Sequence, residues 1–249
     1  MLPAESRPAV EATRVGGRLG CISALEAFGV FAVNTGISHI HVTRGMSRMR
    51  SPRSRFVPLT NRSRAGVELH WSPLAEPDRA TEHSVGKVDA LAQAIRCQHP
   101  WLSIASMDNA IFTGAISADS VDRIFALVPE QHRYLAGKVN GRAEAGQESV
   151  LRMILEAAGV AYEIQVGIAG VGRVDFVVEG CLVVEADSRV AHDSWDRHIE
   201  DRRRDLQLAA LGYMSLRPVY QHTMHEPDLV ARSILGLLSQ SNNFRRVIL

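Results

Sequence analysis

The stretch Val174-Asp175-Phe176-Val177-Val178, then Leu182-Val183-Val184-Glu185-Ala186-Asp187, then His192, decides how this chain is to be read. Two apolar, largely β-branched runs are joined by a short Glu179-Gly180 turn, the pattern of an antiparallel hairpin with at least one buried face. One acid opens the first run and two more close the second. Carboxylates inside such runs are costly unless something pairs with them, and a divalent cation is a common partner. Asp175, Glu185 and Asp187 are therefore candidate metal ligands on adjacent strands, an arrangement suited to phosphodiester hydrolysis. The same pattern also fits a plain reading, in which Asp175 pairs with Arg173 while Glu185 and Asp187 point to solvent at period two.

The flanking sequence extends the pattern. Upstream, Val150, Leu151, Ile154, Leu155 and Ala158 share one helical face, and Gly159 is a C-terminal stop. Glu148 sits in the first turn of that helix, where it serves the helix dipole or approaches a cation held by the hairpin. Downstream, residues 193–211 form a charged helix containing Asp201-Arg202-Arg203-Arg204-Asp205 and ending at Gly212. Tyr213 to Arg217 then reads as a strand stopped by Pro218, with a last helix over 226–239. The expected order is helix, two or three strands, helix, strand, helix.

These marks resemble the very-short-patch-repair (Vsr-like) endonucleases and, through them, the wider PD-(D/E)XK superfamily. The likeness runs from Glu148 to about Leu238 and rests on "VDFVV", "VVEAD", a histidine five residues after Asp187, "EDRRRDLQLAALGY" and "SLRP". It implies a restriction-endonuclease-like αβββαβ core over 147–249. It also implies a catalytic set of Asp175, Glu185, Asp187, His192 and Glu148. Asp175 and Glu185 would hold Mg2+ or Mn2+ together with a backbone carbonyl, Asp187 would stand in the superfamily's lysine position, and His192 would relay a proton. Arg204 and Arg217 would be structural or face phosphate. Two positions depart from the family pattern: Ser188 replaces a glycine, and Pro218 replaces an aromatic residue.

The first 140 residues read as a smaller α/β domain, so that the whole is α/β (α+β) with two domains, as the length suggests. Ser23 is an expected N-cap with Glu26 at the capping-box position. Strands are expected over 37–43 and 67–71, and helices over 84–95, 106–113 and 117–127. His39 and His41 share one strand face, read as its polar side. Between positions 44 and 64 lie Arg44, Arg48, Arg50, Arg53, Arg55, Arg62 and Arg64 with no acid among them, the electrostatic mark of a nucleic-acid-binding arm or of a solvated loop. Arginine outnumbers lysine everywhere, Lys87 and Lys138 being the only lysines, so the residue type alone does not argue for nucleic acid. "GCISALEAFGV", "HIHVTRG", "VDALAQAI" and "MDNAIFTGAIS" resemble the N-terminal region of AbiEi-type antitoxins, which implies a toxin–antitoxin or phage-defence setting. Residues 137–147, rich in Gly and Ala, are the expected linker.

Composition closes other classes. Hydrophobic residues make up 46% of the chain and the formal net charge is +1, a globular balance. Cys21, Cys97 and Cys181 are widely spaced without a C-x-x-C, which points to neither a disulfide scaffold nor a zinc ribbon. His222 and His225 precede Pro227 with no cysteine nearby, so no zinc site is expected there. No apolar run reaches the length of a membrane span, and the first residues do not form a signal peptide. A cytoplasmic location is the expectation. The expected partner is DNA, with a homodimer as an option. The expected function is metal-dependent DNA cleavage, against two alternatives: a non-catalytic, antitoxin-like DNA-binding repressor and a protein-interaction module.

Overall fold

In a computed structural model, residues 6–187 and 195–247 are described. The chain is a mixture of helices and small sheets, and it divides into two compact units, Met1–Gly146 and Gln147–Leu249. No helix among the described residues is long and apolar enough to cross a membrane.

The first unit runs α1 (Arg7–Val15), β1 (Arg18–Leu19), α2 (Cys21–Ala27), β2 (Ser38–His41), β3 (Arg50–Ser51), β4 (Ser54–Pro58), β5 (Val67–His70), α3 (Lys87–Cys97), α4 (Pro100–Phe112), α5 (Ser120–Ala126) and α6 (Glu130–Arg133). Strands β1, β2 and β5 form one sheet in that order, β1 antiparallel and β5 parallel to β2. Its core is built from Leu25, Ile40, Leu91, Ile95, Ile104, Met107 and Ile124. Strands β3 and β4 form a separate antiparallel hairpin.

Three expectations about this unit change. Ser23 is not the cap of α2; Gly20 holds that position, and the buried Ser23 hydroxyl accepts the His39 backbone N–H at 2.9 Å. The histidine side of β2 is not a solvated face, because Ser38, His39, Ile40 and His41 are all buried. The expected linker is anchored at its start: the N–H groups of Asn140 and Gly141 both donate to Asp108 Oδ1 on α4, at 2.7 and 3.1 Å.

The second unit runs α7 (Gly146–Ala158), β6 (Tyr162–Ile168), β7 (Gly172–Val178), β8 (Leu182–Val184), α8 (Trp195–Ala210), β9 (Met214–Leu216), α9 (Tyr220–His225) and α10 (Pro227–Val247). Among the described residues the strands between α7 and α8 number three, where two or three were expected. The sheet order is β6-β7-β8-β9, with the first two pairs antiparallel and β8–β9 parallel. A parallel pair needs a crossover, and α8 provides it. The β7–β8 turn has Glu179 at φ 48° and Gly180 at φ 65°, with the Cys181 N–H donating to the Val178 carbonyl at 3.1 Å. Positive φ at both central residues gives a type I′-like turn that matches strand twist, and Cys181 is the extra residue between that turn and the Val178–Leu182 pair. Val177 and Val183 pair across the hairpin and pack with Ile168, Val174 and Leu208 of α8. On the alternate positions Phe176, Val178, Leu182 and Val184 are buried as well, so both strands are covered on both faces.

Candidate functional site

The register of the second sheet aligns one polar row. In β7–β8 the paired residue numbers sum to a constant (Phe176 with Val184, Val177 with Val183), so the next row sets Asp175 opposite Glu185. In β6–β7 the pairs Ile164–Phe176 and Val166–Val174 flank Gln165, which faces Asp175. In β8–β9 the parallel pair Val184–Leu216 leads to Glu185 beside Arg217. Gln165, Asp175, Glu185 and Arg217 therefore lie in one line across four strands, where β8 and β9 end. Neighbours in such a row share a face of the sheet.

The row is wired together. Gln165 Nε2 donates to Glu148 Oε2 at 3.2 Å and to Asp175 Oδ1 at 3.5 Å, linking α7 to the sheet. Asp175 Oδ2 accepts the Ala186 backbone N–H at 2.9 Å. Glu185 faces two arginines: Arg204 Nη2 on α8 lies 3.0 Å from Oε1, and Arg217 Nη2 lies 2.6 Å from Oε2. Arg204 also donates to the Arg173 carbonyl at 3.0 Å, and Arg217 Nε lies 3.0 Å from Asp205 Oδ1. The Arg217 contacts are close but miss hydrogen-bond angles.

Burial pushes the Asp175 carboxyl above the usual aspartate range, opposed by the Ala186 N–H and by Arg173, Arg204 and Gln165. Burial also raises Glu185; Arg217 and Arg204 pull it back, while Asp175 and Asp205 push it further up. Both acids are thus desolvated side by side, a perturbation that marks functional sites and structural ion-pair networks alike. Two further signs mark the row. Gln165 adopts φ 53°, a left-handed backbone rare for a residue with a side chain, and its buried Oε1 has no hydrogen-bond partner.

Of the sequence candidates, Glu148, Asp175 and Glu185 come together here with Arg204 and Arg217. Asp187 continues past the row in an isolated bridge to Val219, its N–H donating to the Pro218 carbonyl at 3.1 Å. His192 and Ser188 lie outside the described residues. Sequence reading missed Gln165, because its strand was not recognised and its place opposite Asp175 emerges only from pairing. Arg44, Arg48, Arg53 and Arg55 are exposed on and around the β3–β4 hairpin, and Arg50 is half-buried. Phe56 on the same hairpin is 80% exposed, with the Arg55 guanidinium 4.9 Å from its ring centre.

A different ligand set stands in the first unit. Cys21, His39, His70 and Cys97 place one ligand atom each within 4.8 Å of all the others. Among the described residues it is the group of His, Cys, Asp or Glu side chains that converges closely enough to hold a metal ion, and it is not an acidic one. Neither spacing nor motif announced it, since its four members come from α2, β2, β5 and α3.

Comparison of the chain with protein-family models, with curated proteins and with solved structures gives no match.

Proposed function

We propose that the second unit is a nuclease-type domain that hydrolyses DNA phosphodiester bonds with a divalent cation, and that the arginine-bearing hairpin of the first unit helps to grip the substrate. The reading is carried by the row Gln165–Asp175–Glu185–Arg217, reached through an order of helix, three strands, helix and strand that the restriction-endonuclease-like αβββαβ core shares. The donor chemistry fits a hard cation such as Mg2+ or Mn2+: carboxylates from Asp175, Glu185 and Glu148, and an orphaned amide oxygen on Gln165. Gln165 turns its Nε2–H to the two carboxylates, and its amide oxygen would add a further hard donor were a cation held there. A cation held there supplies charge to a phosphate oxygen and lowers the pKa of a bound water. The protein's own part is to keep the acids desolvated and aligned, through the type I′-like turn and the Ala186 N–H. Proton relay falls to His192 on the sequence resemblance alone.

A second reading has its own observation. Arg204 and Arg217 lie 3.0 and 2.6 Å from Glu185, so that carboxylate is charge-compensated without any metal. A domain that keeps those pairs binds DNA without cutting it, as a repressor does. Supercoiled plasmid incubated with Mg2+ or Mn2+, against EDTA and against Asp175→Ala, separates the two. Metal-dependent nicking lost in the variant establishes cleavage. Intact plasmid with retained DNA binding overturns it in favour of the repressor.

A further inference from the structure

We propose that Cys21, His39, His70 and Cys97 bind a structural zinc ion that fastens the strands and helices of the first unit together. The proposal is independent of nuclease activity in the second unit. The four ligands come from the first residue of α2, from β2, from the last residue of β5 and from the last residue of α3. The chain has 3 cysteines, and two of them meet at one point with two histidines.

All four ligand atoms lie within 4.8 Å of one another, and two of the edges match those of a tetrahedral shell. Zinc bonds of about 2.0–2.1 Å to nitrogen and 2.3 Å to sulfur set ligand-to-ligand edges of about 3.3–3.8 Å. His39 Nδ1 lies 3.1 Å from His70 Nε2, and Cys97 Sγ lies 3.7 Å from His39 Nδ1. Both edges are within a few tenths of an ångström of that shell, and the S2N2 donor set is one that selects zinc. Two thiolates balance the charge of Zn2+, so the filled site is neutral, as suits a place where Cys21 and His39 are buried. Four protein ligands close the coordination sphere, which marks a structural ion rather than a catalytic one.

The surroundings hold the ligands in place. The Cys21 N–H donates to Gln93 Oε1 at 2.9 Å, and Gln93 Nε2 lies 3.2 Å from His41 Nδ1. Cys21 sits at φ 47°, and a Cβ on the preceding Gly20 would lie 2.6 Å from Gln93 Oε1, so a side chain there would push the Gln93 amide off the Cys21 N–H. The Ser23 hydroxyl fixes the backbone of His39 from α2. Polar contacts of this kind orient ligands in metal sites.

The test is metal analysis of the full chain purified without chelator, followed by replacement of the metal with Co2+. The expected results are equimolar zinc and, with cobalt, the intense visible bands of a tetrahedral thiolate site. Cys97→Ser and His70→Ala should each release zinc to a competing chelator about tenfold faster or more, while Cys181→Ser in the other unit retains it. A reduced chain that takes up neither Zn2+ nor Co2+ overturns the proposal, as does an intact mass showing Cys21 and Cys97 joined as a disulfide. The cobalt spectrum is read on the unaltered chain, so it decides the matter even where a variant fails to fold.

Discussion

Asp175 and Glu185 sit side by side and burial raises both carboxyls. Among the described residues only Glu185 has arginines within ion-pair distance, so neutralising the two should differ in size of effect. Asp175 is buried with hydrogen bonds from Ala186 and Gln165 and no arginine within ion-pair distance among the described residues, and its pKa is raised chiefly by burial. A raised carboxyl binds its proton more tightly when folded. Its penalty is therefore absent below the unfolded pKa of about 4, grows as pH rises through the folded value, and is complete above it. Asp175→Asn keeps an acceptor for the Ala186 N–H and removes that penalty. Its Tm should exceed that of the natural chain at neutral pH, with the difference closing as the pH falls toward about 4, while metal-dependent cleavage is abolished. A lower Tm at neutral pH would contradict the burial account. Glu185→Gln sets relief of the same kind of penalty against the loss of two partners, since burial raises the Glu185 carboxyl too while Arg204 and Arg217 would then face a neutral group. Its gain in Tm at neutral pH should therefore be smaller than that of Asp175→Asn. A gain as large would mean that the two arginines are not held by that carboxylate.

At the scale of elements, the β3–β4 hairpin carries the clearest prediction for nucleic acid. Arg48, Arg53 and Arg55 are exposed and Arg50 is half-buried, so their removal should leave the core of the first unit intact. Replacing Arg48, Arg50, Arg53 and Arg55 by Ala should weaken DNA binding and flatten its salt dependence by about 0.9 for each phosphate no longer neutralised. An unchanged slope returns the run to a solvated hairpin. The elements of the second unit were largely legible in sequence, because continuous β-branched apolar runs, a Glu-Gly turn and a helix ending in glycine are local signals. What joins them was not. That Gln165 faces Asp175 follows from strand register, and a left-handed backbone within β6 leaves no mark in composition. In the first unit, the alternation of Ile with His in β2 reads as a half-exposed strand. The structure buries the histidines as well, because α3 supplies Cys97 and Gln93 as partners. A metal set drawn from four elements has no spacing for a motif to capture.

For the whole molecule, the two units each have their own sheet and their own buried core, and each has a distinct chemical handle. A structural zinc ion binds the folded first unit far better than the unfolded chain, so its binding free energy adds to the stability of that unit alone. The carboxylate row acts only on the second unit, where a change of about 1 kcal/mol moves Tm by about 4–8 °C in a unit of roughly this size. Calorimetry of the full chain should therefore show two transitions. A strong chelator should lower one and leave the other in place, and added zinc should restore it. Asp175→Asn should raise the transition that the chelator does not touch. If both treatments displace one shared transition, the units unfold together and the separate cores do not act as separate cooperative blocks. If the chelator moves neither, while cobalt also fails to bind, the first unit is held by its apolar core and by hydrogen bonds between Cys97, His39 and His70 rather than by metal.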